Sequence, residues 1–123
     1  MSSTIDDAIG RVRGRFLDLL RERLVVIQSC MSARSSDPAE LEQALFVVHK
    51  VAGSAGTLGL PNLGEVARTC EEQLLRDLHA GGTISGMGFA YLERFVDFSH
   101  SVLEAYSVPA APLQAVPRAA FGR

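Results

Sequence analysis

The sequence predicts an all-α fold, an up-and-down antiparallel four-helix bundle. Three observations lead there. Apolar residues recur at spacings of three and four through four long segments, the period of an amphipathic helix. Short stretches rich in Gly, Pro, Ser and Asn separate those segments, and short connections favour antiparallel neighbours. No stretch carries the period-two alternation of a half-buried strand. A chain of 123 residues, 47% of them hydrophobic, suits one domain with one core.

The first helix is predicted from Thr4 to Ser32. Ile5, Ile9, Val12, Phe16, Leu19, Leu20, Leu24, Ile27 and Met31 mark its apolar side. Gly10 and Gly14 weaken the first turns, so a frayed or broken start is expected. "SARSSDPAE" reads as a linker that ends in a helix start: Asp37 as N-cap, Pro38 at the first position and Glu40 at the third. The second helix carries Leu41, Ala44, Leu45, Val48, Ala52 and Ala55 on one face and is expected to stop near Thr57 to Gly59.

"GLPN" is a tight connection, with Asn62 as cap and Glu65 three residues on. Leu63, Val66, Ala67, Cys70, Leu74, Leu75 and Leu78 mark the buried side of the third helix, and Gly81 supplies its stop. "GGTISG" is a loop in which Ser85 caps the fourth helix. That helix carries Met87, Phe89, Ala90, Leu92, Phe95, Val96, Phe98, Val102, Leu103 and Tyr106. Residues 1–107 thus form the bundle. The tail over 108–123 is rich in Ala and Pro and is expected to be disordered.

Composition excludes several classes. The net charge is −2 with mixed signs and no basic stripe, which argues against nucleic acid as a partner. Cys30 and Cys70 stand far apart with no CxxC or Cys/His cluster, so two buried, reduced thiols are expected. "MSSTIDDAIG" is polar and acidic, unlike a signal peptide. No apolar run approaches the ~20 residues that span a bilayer. A cytoplasmic monomer is the expectation.

The second helix holds the unusual feature. "FVVHKVAGSAGTLGL" carries three glycines after a histidine, although an interior glycine costs a helix about 1 kcal/mol against alanine. With Leu41 at zero and 100° per residue, His49 falls at about 80°, beside the apolar face. Gly56, Glu42, Gly53 and Phe46 fall at about 60°, 100°, 120° and 140°, in one stripe with it. Positions four and seven residues on are neighbours on the same helix face. Gly53 and Gly56 therefore remove the side chains that would crowd the imidazole, and another protein's backbone can approach closely. Such a departure from local propensity is expected at a functional site.

"HKVAGSAGTLGLPNLGEVARTCEEQL" resembles the signature of histidine-containing phosphotransfer (HPt) domains of bacterial multistep phosphorelays. The residues that carry the likeness are His49, Gly53, Gly56 and Gly59, then Ala67, Cys70, Glu71 or Glu72, and Leu74. One position departs from the family. The lysine often found three residues after the histidine is Ala52 here, and the lysine present is Lys50, directly after His49.

The resemblance implies that His49 accepts a phosphoryl group from the aspartate of a response-regulator receiver domain and passes it on. Lys50, Gly53 and Gly56 would lie near the phosphoryl group. Glu42 and Phe46, with Thr69, Glu72, Gln73 and Arg76 of the third helix, would dock the receiver. The chain would have no autonomous kinase activity, since it shows no GxxxxGK[ST] loop. It would need no cofactor of its own, with Mg²⁺ expected on the receiver. A hybrid sensor kinase would be a further partner. His79 and His100 lack the glycine setting. Two other readings compete. One is an HPt-like module that docks and regulates a receiver or kinase without carrying phosphate. The other is a sensor-kinase dimerisation domain, against which the missing H-E-[LI]-R-x-P pattern argues.

Overall fold

In the computed structural model, which describes residues 4–33 and 37–107, four helices form the predicted bundle. They are α1 (Thr4–Ala33), α2 (Pro38–Ser54), α3 (Pro61–Ala80) and α4 (Gly86–Ser107), with a single 3₁₀ turn (Gly56–Leu58) between α2 and α3. α2 and α4 each pack against both α1 and α3, and the diagonal pairs do not meet. The tail over 108–123 and residues 34–36 of the predicted linker lie outside the described residues.

The caps account for most boundaries. The Asp37 carboxylate accepts the Ala39 N–H at 3.0 Å, with Pro38 opening α2. The Ser85 hydroxyl accepts the Gly88 N–H at 3.0 Å and starts α4 as expected. α2 ends at Ser54, one turn early, and tightens into the 3₁₀ turn. Gly59 then reverses the chain in the left-handed region, at φ 82.

Other expectations are corrected. Asn62 is not the cap of α3: Leu60 holds that position with no side-chain cap bond. Pro61 fixes the first helical φ and lacks the N–H that a cap would satisfy. α1 runs unbroken through Gly10 and Gly14, because packing further along the helix outweighs their propensity.

The core contains Phe95, Leu20, Leu24, Ile27, Leu41, Leu63, Leu74 and Leu92, all fully buried. Several predicted core residues are outside it. Ile5, Val12 and Leu19 on α1, Leu75 and Leu78 on α3, and Met87 and Tyr106 on α4 are exposed. On α2 the buried face is rotated from the predicted one. Val47 and Val51 are buried, while Leu45 is half-buried. α2 packs between α1 and α3, so its covered arc is wider and centred further from His49 than one apolar row suggests.

Candidate functional site

That rotation carries His49 out of the core edge and into solvent: its side chain is 69% exposed. It remains tethered. Nδ1 of His49 and Oε2 of Glu71 on α3 lie 2.5 Å apart. Glu71 is the more sheltered partner, with 19% of its side chain exposed. An ionised carboxylate only accepts hydrogen bonds, so the proton belongs on Nδ1 and the lone pair on Nε2. The arrangement presents a nucleophilic nitrogen on a well-anchored helix.

Two approaches fix the register of α2 against α3. His49 meets Glu71, and seven residues further along the chain, where the 3₁₀ turn begins, Gly56 meets Gly64. A Cβ on Gly64 would sit 3.5 Å from the Gly56 nitrogen and 3.7 Å from the Ala55 Cβ. Seven steps forward along the chain from His49 match seven steps back along α3 from Glu71. Both are ordinary van der Waals distances, so the contact marks the register without requiring glycine at 64. Arg13 braces the far end of the same hairpin: its Nε donates to the Leu58 carbonyl at 2.8 Å. Its guanidinium lies 5.5 Å from the centre of the Tyr106 ring.

Gly53 and Gly56 are different. A Cβ added at either would meet nothing within 4 Å. Packing inside the chain therefore does not require glycine there, and both positions are exposed beside His49.

Phe46 is 56% exposed and faces the α1 side. Lys50 Nζ lies 5.5 Å from its ring centre, and the Arg23 guanidinium 5.9 Å. Lys50 therefore rests on the aromatic face and not over His49. Ala52, at the family's usual lysine position, is buried. Beside Phe46 a groove of about 520 Å³ runs between α1 and α2, lined by Arg23, Val26, Glu42, Gln43 and Val47 among others.

The α3 residues expected beside His49 are mostly elsewhere. Gln73 is buried, donating to Asp77 Oδ1 at 3.1 Å and accepting from Arg76 at 3.0 Å. Thr69 lines a groove with Tyr91 and Arg94 of α4. Glu72 is exposed. With Glu71 set toward α2, a step of 100° per residue turns Thr69, Gln73 and Arg76 to the α4 side. The same register brings Arg68 and Leu75, one turn on either side of Glu71, toward His49.

Sequence reasoning named Glu71 only as one of two glutamates carrying the family likeness and gave it no place at the site. A signal was available: it stands four residues after Ala67 and three before Leu74, inside the buried stripe of α3. A carboxylate there needs a partner. Elsewhere, the described residues hold no group of three His, Cys, Asp or Glu side chains able to ligate a metal ion. None of their helices is long and apolar enough to cross a membrane. Cys30 and Cys70 are free and buried.

No curated protein and no solved structure matches the chain. A family model does: the Hpt domain matches over residues 11–97, which takes in the glycine-flanked histidine, its carboxylate partner and most of the four helices. The chain belongs to the Hpt domain family.

Proposed function

We propose that the chain is a phosphorelay intermediate in which His49 receives a phosphoryl group from a receiver-domain aspartate and passes it to another. The observation that carries this reading is an exposed imidazole whose Nδ1 is engaged by Glu71, within an Hpt domain. In the forward step the Nε2 lone pair attacks phosphorus. The Nε2–P bond forms, the P–O bond to the aspartate breaks, and the aspartate leaves as a carboxylate. The Nδ1 proton stays on the ring, where Glu71 offsets the positive charge that develops on it. The reverse step delivers the group to a second receiver.

Positioning and charge neutralisation dominate such transfers. The receiver would bring the aspartate and Mg²⁺, and this chain the nucleophile. Glu42, Phe46 and Glu72 are exposed and serve as docking residues in this reading, with the groove beside Phe46 receiving apolar side chains of the receiver. Gln73 is left out because it is buried. The relay would run in the cytoplasm, with receivers and a hybrid sensor kinase as partners.

The test is transfer of labelled phosphoryl from a panel of phosphorylated receivers to wild type and His49→Gln. Acid-labile, base-stable label on the wild type alone supports the relay. A second reading, a docking regulator that carries no phosphate, is favoured by buried Ala52 where the family often has lysine, with Lys50 held on Phe46. It predicts a receiver that binds both forms and labels neither.

A further inference from the structure

α1 is far longer than its neighbours need. It spans 30 residues, against 17 in α2 and 22 in α4. None of residues 4–15 is buried, and Phe16 is the first α1 residue to enter the core. Along one edge of the helix, about 100° from its buried row, three large apolar residues recur every seven positions. Val12, Leu19 and Val26 are 48%, 41% and 37% exposed. Val26 also lines the groove beside Phe46, so a second copy seated here would compete with a receiver for that end of the groove. Exposed Ile5 extends the row by one more step of seven. With Leu19 at zero, Val12 and Val26 fall within about 20° of it. A repeat of seven is the spacing with which one helix follows another.

The charges beside this row are specific. Arg15 and Glu22 are exposed, and by the same rotation both lie on one flank, about 40° and 60° from Leu19. Among the described residues neither takes part in a salt bridge, whereas nearby Asp18 is held by Arg21 at 2.8 Å.

We propose that this face of α1 is a homodimer interface, with α1 packed antiparallel against α1 of a second copy about a two-fold axis at Leu19. The register follows from the sequence positions. Leu19 meets its own counterpart. Val12, seven residues before the axis, meets Val26, seven residues after it, and the contact occurs twice. Arg15 is four residues before the axis and Glu22 three after, so each arginine falls within about 1.5 Å along the axis of the other copy's glutamate. A two-fold axis lying in the interface keeps flank facing flank, so the two same-side charges come together as two reciprocal ion pairs. A parallel arrangement would put the Arg15–Glu22 flanks of the two copies on opposite sides of the contact and form neither pair. The face is thus self-complementary in one orientation, as an isologous contact requires. The proposal replaces the monomer expected from sequence and does not depend on phosphoryl transfer at His49.

A single helix face is small beside the ~800 Å² per partner of a standard interface, so the association should be concentration-dependent. The experiment is sedimentation equilibrium of the full chain from about 10 µM to about 1 mM, with circular dichroism to confirm that each variant keeps its helices. Wild type is expected to rise from 13.2 kDa toward twice that mass. Arg15→Glu and Glu22→Arg should each weaken dimerisation by about tenfold or more, because each creates two like-charge contacts. An equal mixture of the two single variants should recover the dimer as a heterodimer, and the double variant should recover it alone. Leu19→Glu should remove it. A wild type that stays monomeric to about 1 mM would overturn the proposal. So would a dimer indifferent to the single charge variants, or one that the mixture fails to restore.

Discussion

His49 and Glu71 are joined across α2 and α3, Nδ1 to Oε2 at 2.5 Å, while the rest of the imidazole stands in solvent. The contact orients the ring and favours the proton on Nδ1, which leaves Nε2 as the nucleophile of the proposed relay. Glu71→Gln keeps the shape and removes the charge. It should slow phosphoryl acceptance by roughly 10- to 100-fold, the usual cost of losing an orienting partner. Receiver binding should change little. Imidazole ¹⁵N shifts supply an independent check: wild type should show the proton on Nδ1, and the variant a mixture of tautomers. A variant with wild-type transfer and tautomer would remove Glu71 from the mechanism.

Gly53 offers a test in which stability and activity move in opposite directions. Nothing lies within 4 Å of an added Cβ, and the residue is helical. Gly53→Ala should therefore stabilise the bundle by about 0.5–1 kcal/mol. That corresponds to a rise of a few degrees in Tm. The same methyl group narrows the approach to His49, and Gly53→Leu narrows it further. Phosphoryl acceptance should fall in the order Gly, Ala, Leu. A fall in Tm for the alanine variant, or equal transfer by all three, contradicts the reading that the glycine serves an incoming protein.

Gly88 is the contrasting case. A Cβ there would collide with the Asp77 carboxylate and approach Ile84 at 2.9 Å. Asp77 is buried and accepts from the Ser85 N–H at 3.0 Å and from Gln73, so it cannot move aside freely. Gly88→Ala should destabilise by about 1–3 kcal/mol, the range for overpacking. Urea denaturation measures it. Equal stability would mean that the α3–α4 loop yields more readily than its hydrogen bonds suggest.

These examples show what the sequence made legible. Asp37-Pro38 and Ser85 announced their helices because a cap is a local event, settled within one turn. His49 was legible because the spacings of three glycines, Gly53, Gly56 and Gly59, converge on it. The rotation of α3 was not, because it depends on two neighbours at once. A row of apolar residues fixes a helix face only coarsely, and an error of one position turns the helix by 100°. Thr69 and Arg76 were placed beside the histidine for that reason, and Glu71 was named only as one of two glutamates carrying the family likeness, with no place at the site. On α1 the spacing of three and four fitted both the buried row through Leu20, Leu24 and Ile27 and the exposed row through Val12, Leu19 and Val26. Periodicity reports that a face exists, and only the neighbours decide which face is covered.

The bracing of the α2–α3 turn leads to another measurement. Arg13 donates to the Leu58 carbonyl, stacks on Tyr106 and lies against Gly59, thereby linking α1, the turn and α4. Arg13→Ala should cost about 1–2 kcal/mol, the sum of a modest hydrogen bond and a cation–π contact. Arg13→Lys keeps the charge but loses the planar fork and should recover only part of that. Amide exchange should accelerate first at Leu58, Gly59 and Leu60. Uniform acceleration across the bundle would show that Arg13 supports the whole fold and not this turn.

The buried thiols give the chain a pH dependence with a definite sign. Burial pushes Cys70 from an ordinary 9.0 up to about 12, and the Asp77 carboxylate adds to the effect. Burial raises Cys30 to about 11, helped by a hydrogen bond and charge from Glu40. Below pH 9.0 both thiols are protonated in the folded and unfolded chain, so their contribution is fully present. As pH rises from 9.0 toward 11 and 12 the unfolded chain releases these protons first, and stability falls. Urea midpoints should therefore decline through this window. The decline should be shallower in Cys70→Ala than in wild type, whatever the variant loses at neutral pH to the cavity it creates. A thiol reagent at pH 8 should react slowly with the native chain and rapidly with both cysteines once urea exposes them. Fast labelling of the native chain, or identical alkaline slopes for wild type and Cys70→Ala, would show that the thiols reach water without unfolding.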